Sequence, residues 1–364
     1  VIQGELHLTK RAGILVLVMG FAVAGCAREG TSGFTGLNVA PQVIAAQKAS
    51  DFASNGIAVA DTQRFLSDSK QSEEHPIWSP DGQLIAFQRA EVEGGAYNVW
   101  IMKADGSAKR QLTFNQSDCQ QPTWTPDGRF IAFREADQKP GSGGSSEFDI
   151  GMVEVATGKR QPLIQYPGDD KHPNISADGR WIVFNSERDG RKANLYIVPM
   201  GRPNGKPRRL TDNGNQNDVH PNFSKDGRSI LYHSYLLGRS PVAGEQPTRI
   251  GLVPFAGGPT RWLPLEPLIA PKHPFFTAVP GVITFHATDA ASGRRNIYVY
   301  DFNQRGVPMA VTSIKNAKHP QVSPDGKWLV YSHKRKVGEQ QDGQYDIAIV
   351  QMNWSALRKA TKPS

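Results

Sequence analysis

Apolar residues along this chain fall in runs of about four to six, separated by clusters of Gly, Pro, Asp and Ser. Short runs bounded by turn residues predict strands rather than helices. The phrase His75-Pro76-Ile77-Trp78-Ser79-Pro80-Asp81-Gly82-Gln83-Leu84-Ile85-Ala86-Phe87 shows the pattern as an apolar pair, a tight turn and a second apolar run. It returns from Gln121, His172, His220, His273 and His319, at intervals of 46, 51, 48, 53 and 46 residues. In every copy an aromatic closes the phrase: Phe87, Phe133, Phe184, Tyr232, Phe285 and Tyr331.

The turn itself is legible. Pro presets its backbone, Gly supplies positive φ and Asp accepts a local backbone hydrogen bond. Pro-Asp-Gly recurs at Pro126-Asp127-Gly128 and Pro324-Asp325-Gly326, with Ala177-Asp178-Gly179 and Lys225-Asp226-Gly227 as variants. The fifth copy reads Val279-Pro280-Gly281 and is the most degenerate. After the phrase each unit has a third apolar run, such as Asn98 to Met102. A shorter fourth run follows, such as Arg110 to Thr113 or Arg208 to Thr211. Four strands in each of six units predict an all-β chain, a six-bladed β-propeller of four-stranded antiparallel blades. Ring closure has two candidates. The stretch Ser355 to Thr361 resembles the fourth-strand stretch Ser107 to Thr113, and the strand ending at Ser67 is the preferred alternative.

The front end reads differently. Lys10-Arg11 precede an apolar run, Ala12 to Ala24, too short to cross a bilayer comfortably. It ends in Val23-Ala24-Gly25-Cys26, and small residues before a Cys resemble the bacterial lipobox. Residues 1–25 are therefore expected to be a signal peptide, 26–56 a tether lipid-anchored at Cys26, and 57–364 the propeller. Pro41 to Ala53 has the composition of a modest helix inside that tether. By resemblance to lipoprotein sorting, Ala27 after the Cys implies the outer membrane, facing the periplasm. Cys119 is then the one remaining cysteine, so no intramolecular disulfide is expected.

Composition changes this picture little. Hydrophobic residues are 38% and charged residues 21%, an ordinary globular balance, and 36 Gly with 26 Pro suit many turns. The net charge of +8 is modest for 364 residues. No helix-turn-helix, zinc-finger or aromatic nucleic-acid motif accompanies it, so no nucleic-acid partner is expected. The chain is expected to be a monomer.

In a propeller the first strand of each blade lines the central channel. The leading residues His75, Gln121, His172, His220, His273 and His319 should therefore form a ring. Three roles are open to it. Each His can fix its own blade by hydrogen bonds, the ring can hold a ligand, or imidazoles can bind a divalent ion such as Zn or Mn, with His172, His220, His273 and His319 as candidates. A second polar layer follows each closing aromatic: Gln88, Arg134, Asn185, His233, His286 and Ser332, of which Arg134, His233 and His286 are the candidate ligand contacts. Acidic residues precede several ring positions (Glu73-Glu74, Asp118, Asp169-Asp170, Asp218), as loop charges or as support for an ion. No Gly-x-Ser-x-Gly occurs, and Gly141 to Ser146 lies between strands with no helix after it, against a phosphate loop.

The phrase HPIWSPDGQLIAF resembles the repeat of the TolB-like propeller family, also described as WD40-like or PD40 repeats, over residues 75–354. The same repeat builds the propeller of TolB, the gating propellers of prolyl-oligopeptidase-type peptidases, and oligogalacturonate lyases. TolB carries an α/β domain before its propeller, where here 48 residues separate Cys26 from His75. The lyases bind a divalent metal through clustered His and Gln, with a seventh blade and a His-x-His pair. This chain has Lys318-His319-Pro320-Gln321 instead. The resemblance implies a non-catalytic binding or scaffold lipoprotein of the cell envelope, with a protein or glycan partner. A metal-dependent polysaccharide lyase is the alternative.

Overall fold

The computed structural model describes residue 53 and residues 55–360, apart from segments at 68–70, 93–94, 115–117, 137–146, 191, 238–245, 305, 314–315 and 335–343. The expected signal peptide, Cys26, almost all of the tether with its helix, and the Gly141 to Ser146 loop lie outside the described residues.

The chain opens with β1 (Ala58–Phe65). Blade 1 is β2 (Glu73–Trp78), β3 (Leu84–Ala90), β4 (Tyr97–Lys103) and β5 (Arg110–Gln111). Blade 2 is β6 (Cys119–Trp124), β7 (Phe130–Ala136), β8 (Phe148–Glu154) and β9 (Arg160–Ile164). Blade 3 is β10 (Asp170–Ile175), β11 (Trp181–Ser186), β12 (Asn194–Pro199) and β13 (Arg208–Arg209). Blade 4 is β14 (Gln216–Phe223), β15 (Ser229–Leu236), β16 (Thr248–Pro254) and β17 (Arg261–Trp262). Blade 5 is β18 (Leu268–Phe276), β19 (Val282–Asp289), β20 (Arg295–Asp301) and β21 (Met309–Ala310). Blade 6 is β22 (Ala317–Val322), β23 (Trp328–Lys334) and β24 (Tyr345–Met352). The six sheets are antiparallel and four-stranded, so the chain is a six-bladed β-propeller.

β1 supplies the fourth strand of blade 6, pairing with β24 from Ala58 opposite Met352 to Phe65 opposite Ala348. The ring is thus closed by the N-terminal strand, and no sheet edge is left open at the seam. The C-terminal stretch that resembles a fourth strand is instead α1 (Trp354–Ala360). Its Ala, Leu, Arg and Lys are strong helix formers. Leu357 buries against the cluster holding Ile57, Val350 and Met352, and Trp354 Nε1 donates to the Gly326 carbonyl at 2.6 Å.

The repeated turn works through one residue more than the Pro-Asp-Gly. Ser79 Oγ donates to Asp81 Oδ1 at 2.6 Å, and Asp81 Oδ1 accepts from Gln83 N at 3.0 Å. Ser79 Oγ in turn accepts from Leu84 N at 2.9 Å, with Gly82 at φ +71°. Thr125 with Asp127, Ser176 with Asp178, Ser224 with Asp226 and Ser323 with Asp325 repeat the Ser-Asp bond. In blade 5, which lacks the Asp, Thr277 Oγ1 donates to the Val279 and Val282 carbonyls.

The core lies between blades. All six closing aromatics are fully buried. One cluster joins Val183, Leu195 and Ile197 of blade 3 to Phe223, Ile230, Tyr232 and Val253 of blade 4. Burial of each such side chain contributes about 1.5–3 kcal/mol, so every blade is held chiefly by its neighbours.

Candidate functional site

The six ring residues share a backbone conformation that their sequence pattern does not announce. Each sits in the left-handed region: His75 at φ 51°, Gln121 at 58°, His172 at 53°, His220 at 55°, His273 at 51° and His319 at 54°. Each also marks a register shift in its strand pair, between Glu74 and Ile77 in blade 1 and at the equivalent positions in the others. Every first strand is therefore bulged at the ring residue. The invariable Pro that follows suits a bulge, because it has no N–H to leave unpaired there. Left-handed backbone at a non-Gly residue costs about 1–3 kcal/mol, and here it turns the side chain in towards the axis.

The imidazoles meet there as a continuous arc. Centroid separations are 3.4 Å for His172–His220, 4.0 Å for His220–His273, 4.4 Å for His273–His319 and 3.5 Å for His319–His75. Gln121 of blade 2 completes the circle. The channel they line, with Pro76, Pro122, Asn174 and Asn222, is narrow and half-open, with a free volume of about 50 Å³ beside the rings. That is room for one or two waters and no more. Burial holds the His75 imidazole down to about 3, with the Arg134 and Lys318 cations acting in the same sense and Glu74 against it. Burial, and then neighbouring cations and imidazoles, holds His172, His220, His273 and His319 well below the ordinary value. The arc is therefore neutral at physiological pH.

The second layer ties the ring to the blade before it. Gln88 Oε1 accepts from Gln121 N at 3.0 Å, His233 Nδ1 from His273 N at 3.4 Å, His286 Nδ1 from His319 N at 3.4 Å, and Ser332 Oγ from His75 N at 3.2 Å. In four of six blades this position thus takes the amide freed by the next blade's bulge. Asn185 instead bonds His172 Nδ1 of its own blade at 2.7 Å. Arg134 has no acceptor to offer. It donates to Gln120 Oε1 at 2.6 Å, pairs with Asp118 at 3.5 Å and lies over the Phe148 ring. A third set of blade-to-blade bonds, two residues past the ring, carries no signal of its own in the sequence. Asn174 Oδ1 accepts from Phe223 N at 2.9 Å, and Gln321 Oε1 from Trp78 N at 2.6 Å.

The acidic residues before the ring do not reach the imidazoles through hydrogen bonds. Glu73 is fully buried between Arg89 at 3.4 Å and Lys109 at 3.3 Å, and Asp170 is fully buried on Arg188 at 2.8 Å. Asp218 accepts from Ser234 Oγ and from Asn213 Nδ2, both at 2.7 Å. They lock first strand to second strand and adjoining loop. Among the described residues the metal-capable group is His75, His273 and His319, whose donor atoms all lie within 4.8 Å of one another. It shares His273 and His319 with the predicted set and takes His75 in place of His172 and His220.

No family model matches the chain. An uncharacterised protein of Agrobacterium fabrum is 29% identical over 112 residues, a match spanning 31% of this chain and 35% of that relative. TolB from Acinetobacter baumannii superposes with a TM-score of 0.54 at 18% identity, covering 79% of this chain and 65% of that one. The fold is that of the TolB propeller. An oligogalacturonate lyase in complex with manganese shares it, with a TM-score of 0.52 at 13% identity, over 81% of this chain and 94% of that one.

In this propeller the mouth at the start of the first strands carries the cations Arg134, Lys171, Lys272 and Lys318. Lys318 pairs with Glu74 at 2.7 Å and lies over the Tyr345 ring, while Lys171 pairs with Asp169 and lies over Phe148. Burial lowers the Lys272 ammonium from its ordinary value.

Proposed function

We propose that this chain is a non-catalytic binding and scaffold propeller of the bacterial cell envelope, anchored through Cys26 and presenting the charged channel mouth to a protein or glycan partner. The narrow axis carries this reading. Five neutral imidazoles and Gln121 fill the channel, the cavity beside them is about 50 Å³, and the buried carboxylates nearby are committed to strand-to-strand pairs. No sugar residue fits such a space. A propeller with a filled axis and a charged rim is built to present a surface. The test has two arms. Purified protein with oligogalacturonate and added Mn²⁺ should give no unsaturated product, and Arg134→Gln with Lys272→Gln, in protein that remains folded, should weaken crosslinking to the envelope partner. Turnover of the oligosaccharide, or crosslinking indifferent to the rim, overturns the reading. Cys26→Ser should move the protein out of the membrane fraction.

The triad supports a second reading, a divalent ion such as Zn or Mn on His75, His273 and His319. The donor set fits. All three imidazoles are held neutral, and His273 Nδ1 is buried with no hydrogen-bond partner. Such an ion would join blades 1, 5 and 6 across the ring seam and strengthen the scaffold.

A further inference from the structure

A second cavity lies far from the axis, between the outer parts of blades 4 and 5, with a volume of about 620 Å³. Its origin can be read from the repeat. Three residues before each closing aromatic the chain has Leu84, Phe130, Trp181, Ser229, Val282 and Trp328. Blade 4 alone has a small polar residue there. At the neighbouring junctions the equivalent side chain packs into the next blade. Leu84 shares a cluster with Val155, and Phe130 one with Met200. Trp181 stands edge-on to Phe255 at 5.2 Å with an interplanar angle of 70°.

The junction between blades 3 and 4 and that between blades 4 and 5 are otherwise alike. Arg208 Nη2 donates to the Phe255 carbonyl at 2.6 Å with its guanidinium over that ring, and Arg261 Nη2 does the same to Phe302 at 3.0 Å. Phe302 is the counterpart of Phe255, and Ser229 is the counterpart of Trp181. The cavity is thus the space an indole fills one blade earlier, walled by Phe276, Phe302 and Leu252. Its size falls in the range of small-molecule sites. Its rim carries two exposed cations, Arg261 and Lys225, beside one exposed carboxylate, Asp226, which accepts from Ser224 Oγ and Arg228 N of its own turn and leaves a small cationic excess.

We propose that this cleft binds a small planar aromatic anion, an arene bearing a carboxylate, with its ring edge-on to Phe302 where Trp181 lies against Phe255 and its charge towards Arg261 and Lys225. The proposal is independent of the axial site. Indole-3-propionate is the probe, titrated into the full-length protein by saturation-transfer NMR and calorimetry. Saturable binding is expected. Ser229→Trp, which restores the side chain of blade 3, should weaken it by tenfold or more, about 1.4 kcal/mol, without lowering the melting temperature. Ser229→Leu, which copies Leu84 of blade 1, serves the same purpose if the indole is too large. Neutral indole should bind about threefold more weakly than the carboxylate, as an exposed ion pair contributes little. Absence of saturable binding, or unchanged affinity in the folded Ser229 variants, overturns the site. N-acetyltryptophanamide binding as tightly as the carboxylate overturns the anion and assigns the cleft to a peptide-borne aromatic.

Discussion

Lowering the pH should destabilise the metal-free protein through its axial imidazoles. Burial holds His75 and His233 at about 3, whereas in the unfolded chain both titrate near 6.5. Between those values the unfolded chain takes up protons that the folded protein refuses. Their contribution is therefore complete above pH 6.5 and is lost progressively as the pH falls towards 3. At pH 5 the gap is about 1.5 units, so each imidazole costs about 2 kcal/mol and the pair about 4 kcal/mol. His172, His220, His273, His286 and His319 are shifted in the same direction and add to it. Asp170 opposes it. Burial pushes its carboxyl up to about 6, so its protonation returns about 1.4 kcal/mol at pH 5. The net loss is large beside a typical total stability of about 5–15 kcal/mol. Urea unfolding followed by Trp fluorescence, in EDTA at several pH values from 7.5 to 5, measures it. His233→Asn keeps an acceptor for His273 N, as Asn and Gln stand at the same position in blades 3 and 1, and should flatten the slope by about 1.4 kcal/mol per pH unit. A urea midpoint that does not move between pH 7 and 5 would refute the reasoning.

Other outcomes follow from the same geometry. Ser332→Ala strands two groups, the His75 amide and His319 Nδ1, each 3.2 Å from the hydroxyl. It should cost about 1–3 kcal/mol in urea unfolding. Deleting residues 1–68 removes β1 and bares the β24 edge, which should shift the protein to larger species in size-exclusion chromatography relative to the intact chain. Added Zn²⁺ should raise the melting temperature of the intact protein. His319→Ala should abolish that rise, while His172→Ala, outside the triad, should leave it.

The blades were legible because their signals are local. Short apolar runs, a turn with Asp and Gly, and an aromatic at fixed spacing specify a strand pair wherever they occur, and six of them at even intervals specify a ring. The choice of closing strand was harder, because Ser355 to Thr361 copies a fourth strand in outline. Its helix-forming residues and the burial of Leu357 decide otherwise. The ring of His residues was visible, but its cause was not. Positive φ and a bulge leave no mark on the sequence beyond His-Pro, and in four of the six blades the amide the bulge frees is satisfied by the preceding blade some 33–40 residues away in sequence, or across the whole chain from Ser332 to His75. The second layer therefore read as a varying binding surface, where most of it is a set of interchangeable acceptors. The cleft at Ser229 could be found only by comparing one position across blades and then seeing which side chains face each other.

That the axial imidazoles are neutral is tested most directly by long-range ¹H–¹⁵N NMR of the labelled protein in EDTA. His75, His172, His220, His233, His273, His286 and His319 should keep the spectrum of the neutral ring, one protonated and one bare nitrogen, down to about pH 5 while the fold persists. Imidazolium signals from these residues at pH 6, in protein that remains folded, would contradict it.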